Sequence, residues 1–319
     1  GIVFDARTRV FRDFLRDRVA GSDLNLPSIA VGELTGERRV VRRVTNVSGG
    51  AETYTPRVVG LGGVEVVVRP RSLRLAPGET RRFAVTITST EAELDTPAHG
   101  AVVWRGARHR ARVPVVVVPR AVSADDSVSG SEPTGGVTVR GTAGTGRLDL
   151  SMSGLTAAAP LGLTLEPGAF DPGRPTDDLD TARFPVRVPT DTDSLRLQLE
   201  GHDADDLDLY LYREGDLVGS AEGSRADEVL TLLDPEPGAY DLFVHSAAAA
   251  NGSTTTAQLY RWVVRERDAG NVSFPRSLAT SPGERFAVRL SWRQLDLTSR
   301  WLGVLRYADS DERTMVSVG

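Results

Sequence analysis

Short runs with an apolar residue at every second position dominate this chain, and that period decides what it can fold into. Phe83, Val85 and Ile87 alternate with Ala84, Thr86 and Thr88. The same spacing returns in Phe184/Val186/Val188, Leu195/Leu197/Leu199, Leu207/Leu209/Leu211, Tyr240/Leu242/Val244 and Phe286/Val288/Leu290/Trp292. A period of two sends successive side chains to opposite faces, so each run predicts a strand with one buried face. Val64–Val68 and Val113–Val118 are β-branched runs of strand length. Ser48-Gly49-Gly50, Gly62-Gly63 and Ala76-Pro77-Gly78 supply the turns. With 319 residues there is enough chain for two or three cores. The predicted fold is therefore all-β: two or three antiparallel β-sandwich domains in tandem.

One segment breaks the pattern. Over residues 8–19, Val10, Phe11, Phe14 and Leu15 fall on one face of a helix, with Arg9, Arg12, Asp13 and Arg16 elsewhere. Gly21 is its natural stop. A lone amphipathic helix cannot cover its own stripe, so this one is expected to pack on a domain further upstream. Residues 121–136 are rich in Ser, Asp and Gly and read as a linker. Residues 171–181, rich in Pro and Asp, read as a hinge or the edge of an inserted domain.

Charge separates the chain into two parts. All 38 basic residues are arginine. Residues 1–120 hold 20 of them against 12 acids, a net of +8. Residues 121–319 hold 18 against 31, a net of −13. Opposite charges of this size could draw two domains together across a linker. The front arginines are scattered and not interleaved with aromatics, which argues against a nucleic-acid partner. No apolar run has the length of a membrane span. With no cysteine, thiol catalysis, disulfides and Cys-ligated zinc are excluded.

Residues fit for site chemistry are few. Asp203, Asp205, Asp206 and Asp208 form an acidic cluster, and calcium is the cation such oxygens suit. Asp206 and Asp208 share one strand face; alternatively, the cluster is only a solvated face and its preceding turn. The spacing is not that of an EF-hand, since Leu207 interrupts it. No other cofactor is expected. Tyr210 and Tyr212 fall on the same face and, if exposed, could contact a protein or polysaccharide substrate; alternatively, they cover a neighbouring domain or pack under a loop. His99, His109, His202 and His245 are isolated in sequence and read as surface or turn residues. The four tryptophans lie in strand-like segments and read as core.

Gly1-Ile-Val-Phe-Asp-Ala, Asp23-Leu-Asn-Leu-Pro-Ser-Ile-Ala-Val31, Val40-Val-Arg-Arg-Val-Thr-Asn-Val47, Thr53-Tyr54-Thr55 and Leu75-Ala-Pro-Gly-Glu-Thr80, in that order over the first 120 residues, resemble the region that follows the catalytic core of subtilisin-like serine proteases. Phe11–Leu15 falls in the place of that family's last catalytic-domain helix. Where many members place Cys-Gly at the helix end, this chain has Arg16-Asp17-Arg18. The resemblance implies that residues 1–22 are the tail of a catalytic domain and 23–120 a fibronectin-III-like sandwich. Asp206–Tyr212, Leu217–Ser220 and Pro237–His245 are similar to a bacterial pre-peptidase C-terminal domain, implied at about 180–268 within a β-sandwich region 137–319. In that arrangement strands from 137–150 pair with the stretch after 271.

The protease family needs an Asp–His–Ser constellation. Its Gly-Thr-Ser-Met-Ala and His-Gly-Thr phrases do not occur, and His99-Gly100 is followed by Ala101. No catalytic residue is therefore assigned to this chain. The resemblance implies a non-catalytic accessory region of a secreted, extracellular or cell-surface endopeptidase, with the protease domain of the same polypeptide as partner. The alternative is a polymer- or protein-binding module anchoring an extracellular enzyme.

Overall fold

The computed structural model describes residues 1–4, 8–16, 18–175, 180–202, 205–250 and 252–319. The fold is all-β, with one α-helix, Thr8–Phe14, among the described residues. The helix is shorter than the 8–19 stripe predicts. Leu15 N still bonds Phe11 O at 3.1 Å, but Arg16 and Arg18 N both turn back to Asp13 O. No helical residue is buried, so nothing here supplies the packing that would prolong it.

Among the described residues the strands pair into six sheets around three main hydrophobic cores. The first core lies between a five-stranded sheet and a four-stranded one. The five-stranded sheet runs Ile29–Leu34, Arg110–Pro119, Ala98–Arg105, Glu52–Gly60 and Leu73–Leu75 in spatial order. The other is Ile2–Val3, Glu37–Asn46, Thr80–Ser89 and Val64–Arg69. Trp104 and Tyr54 are fully covered at its centre, with the Phe83 ring 4.9 Å from Trp104 at a steep angle. Pairing is antiparallel throughout, apart from Ile29–Leu34, which runs parallel to Arg110–Pro119.

The second core is assembled from two distant stretches. Gly135–Ala143 pairs with Arg285–Trp292, placing Val137 opposite Leu290, and Arg147–Ala158 pairs with Arg300–Tyr307. Between them the chain builds the third core, from the sheet Leu161–Leu165, Thr255–Arg265, Thr192–Gly201, Val229–Leu233 and the sheet Thr181–Val188, Gly238–Ala248, Asp206–Arg213, Asp216–Ala221. The alternating leucines 195, 197, 199, 207, 209 and 211 all point into it.

The stretch 121–136 is not a free linker. Val122–Ala124 pairs with Gly135–Ala143, and Ser127–Gly130 runs parallel to the last strand, Arg313–Val318. Ala124 N donates to Glu312 Oε1 and Thr314 Oγ1 to Asp125 O. Its polar composition suits an edge position, where side chains stay wet while the backbone is paired.

Cores two and three meet through a small apolar layer, Tyr260, Trp262 and Val264 against Ala158, Leu302 and Val304. Ion pairs ring this layer. Arg313 Nη1 lies 2.9 Å from the fully buried Asp193, and its other nitrogen reaches Asp234. Arg306 bonds Glu266 at 3.0 Å and Arg300 bonds Glu200 at 2.6 Å. Cores one and two touch more lightly. Gly36 packs so closely on Gly283 that a Cβ there would lie 2.3 Å from the Gly283 nitrogen, and Ser123 Oγ reaches Glu33 at 3.4 Å.

Candidate interaction surfaces

The leading segment is stitched to the first sandwich at both ends. Ile2–Val3 adds an edge strand beside Asn46 and Thr45, and Val47 N donates to Gly1 O at 2.9 Å. Phe4 sets its ring edge-on to Phe83 at 6.3 Å. After the helix, residues 21–28 are held by a buried arginine. Arg42 alternates in register with core residues Val40 and Val44 and is 1% exposed. Its guanidinium donates to the carbonyls of Ser22 (2.8 Å), Leu26 (3.2 Å) and Ser28 (2.9 Å). Burial pushes the Arg42 pKa down to about 10, partly offset by the charge of Asp23. Asn25 adds a reciprocal pair with the Arg43 backbone, and Arg38 bonds Asp23. Between these two anchors the helix turns Phe11 (46% exposed) and nearby Leu15 (66%) to solvent.

For the strand Asp206–Arg213 the sequence leaves two readings, an open face of acids and tyrosines that meets a substrate or tyrosines packed under a loop. The structure follows the second and leaves no open binding face here: Tyr210 and Tyr212 are 5% and 4% exposed. The run before residue 176 lies across them. Phe170 sits 4.4 Å from the Tyr210 ring and 5.4 Å from that of His245, and Tyr212 OH donates to Pro172 O at 2.8 Å. Phe243 completes the cluster edge-on to Tyr212. Burial, then the charges of Asp208 and Glu222, raises the Tyr210 pKa, and burial raises that of Tyr212.

The acids on this strand are largely drawn inward too. Asp205 is buried and accepts from Ala250 N at 2.8 Å. Asp208 is buried beside His245 (3.5 Å) and Tyr210 OH (3.4 Å). Asp206 is half-buried, and burial followed by the charge of Asp208 pushes its carboxyl up. Asp203 lies outside the described residues. Among the described residues, no three His, Asp or Glu side chains group closely enough to hold a metal ion.

Two histidines that look isolated in sequence have carboxylate partners. His109 Nδ1 lies 2.6 Å from Glu52 Oε2, which also accepts from Tyr54 OH, while the amides of Arg108 and His109 donate to Glu52 Oε1. That bond to His109, then the Arg108 amide, holds the Glu52 pKa down at about 2. His245 turns its second ring nitrogen to Gly168 O at 3.2 Å, and the neighbouring Ser246 hydroxyl bonds Thr255. Neither pair ends on a serine hydroxyl in the way that acyl transfer by the triad requires. Glu52 fixes the Arg105–Arg110 hairpin; His245 fixes the covering segment. Sequence spacing could not show either pair, since 57 and 37 residues separate the partners.

Two stacked sheets around a Trp–Phe–Tyr core define the first unit as a fibronectin type-III-like sandwich, and residues 23–117 match the fibronectin type-III domain family. The same stretch is homologous to part of plant subtilisin-like proteases. Subtilisin-like protease SBT2.5 of Arabidopsis thaliana is 40% identical over 98 residues, 30% of this chain and 12% of that protein. SBT2.2 is 36% identical over 105 residues (33% and 12%) and SBT5.3 is 35% identical over 97 (30% and 13%), both from the same plant. The matched stretch thus spans about an eighth of these relatives. No helix among the described residues is long and apolar enough to cross a membrane.

Proposed function

We propose that this chain is a non-catalytic accessory region of a secreted subtilisin-like serine endopeptidase, acting outside the cell. Its first sandwich fixes the upstream protease domain of the same polypeptide and supports its stability. The observation that carries this reading is the anchoring of the leading segment. An edge strand before the helix and the Arg42 socket after it leave little freedom between upstream chain and sandwich. A helix held in that way presents Phe11 and Leu15 in a defined direction, as a docking element must. The homology of residues 23–117 to a region of subtilisin-like proteases supports the identity of the partner. The sandwich around the third core, residues 161–265, belongs to the same proposal, as a pre-peptidase-like unit that extends the brace.

The test uses the full-length protease. Phe11→Asp/Leu15→Asp places two charges in the proposed contact and should shorten the half-life of proteolytic activity at elevated temperature. The sandwich itself should keep its own unfolding temperature. An unchanged half-life would remove the bracing role.

A further inference from the structure

One sheet edge beside the third core is left unguarded. Val229–Leu233 ends its sheet: Thr192–Gly201 pairs with it on one side, and no described strand bonds it on the other. Sheet edges carry unpaired N–H and C=O groups that invite another chain, and proteins guard them with brevity, charge, proline, glycine or a bulge. Six of the described edges are strands of four residues or fewer. Among the longer ones, Ile29–Leu34 carries Gly32 and Glu33, Val64–Arg69 carries Glu65, and Thr181–Val188 carries Arg183, Pro185 and Arg187. Leu161–Leu165 is interrupted by Gly162, and Asp216–Ala221 by Gly219 and a bulge. Val229–Leu233 reads Val-Leu-Thr-Leu-Leu and has none of these.

The two faces of this strand differ. Leu230 closes the third core and Leu232 packs against it. Val229 and Leu233, on the opposite face, are 44% and 50% exposed. Leu217 and Val218 are exposed as well, on the edge of the facing sheet, where Gly219 lies against the Leu230 side chain.

Charge selects the partner. Asp227 and Glu228 precede the strand, and Asp234 and Glu236 follow it. Asp234 and Glu236 take Arg313 and Arg213, whereas neither Asp227 nor Glu228 forms an ion pair among the described residues. Burial, then the charges of Asp208, Asp206 and Asp227, raises the Glu228 pKa, a strain on the charged form that a cation beside it would relieve. A second copy of the chain fits poorly. Antiparallel self-pairing about Thr231 would set Val229 opposite Leu233 but also Glu228 opposite Asp234, and like charges directly opposite destabilise a ladder.

We infer that Val229–Leu233 takes an extended basic peptide as an added antiparallel strand. Two apolar residues of the peptide lie opposite Leu233 and then Val229, and its arginines or lysines follow, opposite Glu228 and Asp227. Main-chain bonds supply the affinity in this mode, and alternate side chains the choice of sequence. The inference does not rest on the bracing role, whose anchors lie in the first sandwich.

Fluorescence anisotropy of a labelled peptide, acetyl-Leu-Thr-Thr-Thr-Val-Arg-Arg-amide, titrated with the 319-residue chain, tests it. Binding should be saturable, and replacing both arginines by glutamate should weaken it at least about tenfold. Only one edge of an added strand is bonded, so N-methylation of alternate amides should abolish binding in one pattern and spare it in the other. Glu228→Gln should weaken the peptide about threefold, the scale of one exposed ion pair, and Leu233→Lys more. No saturable binding, equal affinity for the glutamate peptide, equal effects of the two N-methylation patterns, or full affinity in a folded Leu233→Lys chain would each overturn the inference. Slowed amide exchange at 229–233 on concentrating the chain alone would overturn it too, by giving the edge to a second copy. Should Leu233→Lys fail to fold, the two N-methylated peptides on the unaltered chain decide.

Discussion

The molecule buries arginine in two different ways. In the first sandwich Arg42 is enclosed with no carboxylate in hydrogen-bond contact among the described residues, its donors going mainly to the carbonyls of the 22–28 segment. At the junction of the other two, Arg313 is almost as deeply placed but meets the carboxylates of Asp193 and Asp234. Carbonyl oxygens belong to a backbone, so the Arg42 socket fixes the path of residues 21–28. Carboxylates belong to side chains, so the Arg313 site fixes one sheet against another. The same residue type therefore organises a connection in one region and an interface in the other.

Independence of the two regions is the first thing to break. Trp104 fills the first core and makes no contribution to the others. Trp104→Ala should cost about 4 kcal/mol, the usual scale for a large aromatic in a packed core. Calorimetry should show one transition moving down and the transition of residues after 121 unmoved; a joint shift would mean the sandwiches unfold as one.

The arginine contrast can be sharpened directly. Arg42→Met keeps the volume but takes the donor from the carbonyls of Ser22, Leu26 and Ser28, and should cost about 3 kcal/mol in urea unfolding. It should also open residues 21–28 to amide exchange. Asp193→Ala should cost about 2 kcal/mol, less than breaking an isolated buried pair, because Arg313 keeps Asp234. Its exchange effect should appear at both sheets of the junction. If either variant loosened the other's region, the division of roles would be wrong.

The smallest effect concerns pH. The Glu52 carboxyl sits at about 2 in the folded protein against an ordinary 4.5. A depressed carboxyl adds stability that is fully present above the ordinary value and is lost as pH falls through the folded one. The stability gap between the unaltered chain and Glu52→Gln should therefore be constant above about pH 4.5 and shrink towards pH 2. A gap independent of pH across that window would show that the turn is held by shape and not by charge.

Much of this fold is legible in the sequence, for a simple reason. Alternation records which face a strand buries, so Leu195–Leu199 and Leu207–Leu211 declare their core without any partner being known. What alternation cannot record is a second layer. What covers Tyr210 and Tyr212 stays open in the sequence, because Phe170 and Pro172 reach them from a segment with no periodic signal. Arg42 is hidden for the opposite reason: a charged residue in a buried register looks like an interruption until the carbonyls that receive it are placed. The +8 and −13 halves suggest attraction between the first sandwich and the rest, yet the arginine–carboxylate pairs described at the junction lie within the acidic half. Total charge reports the balance of a region and says nothing of which side chains meet.

The proposed accessory role requires that these sheets cut no peptide bonds themselves. Incubating the purified 319-residue chain with labelled casein tests it most directly. The account predicts release no faster than in buffer. Steady turnover that proceeds with the chain and disappears on treatment with a serine-directed inhibitor would contradict it.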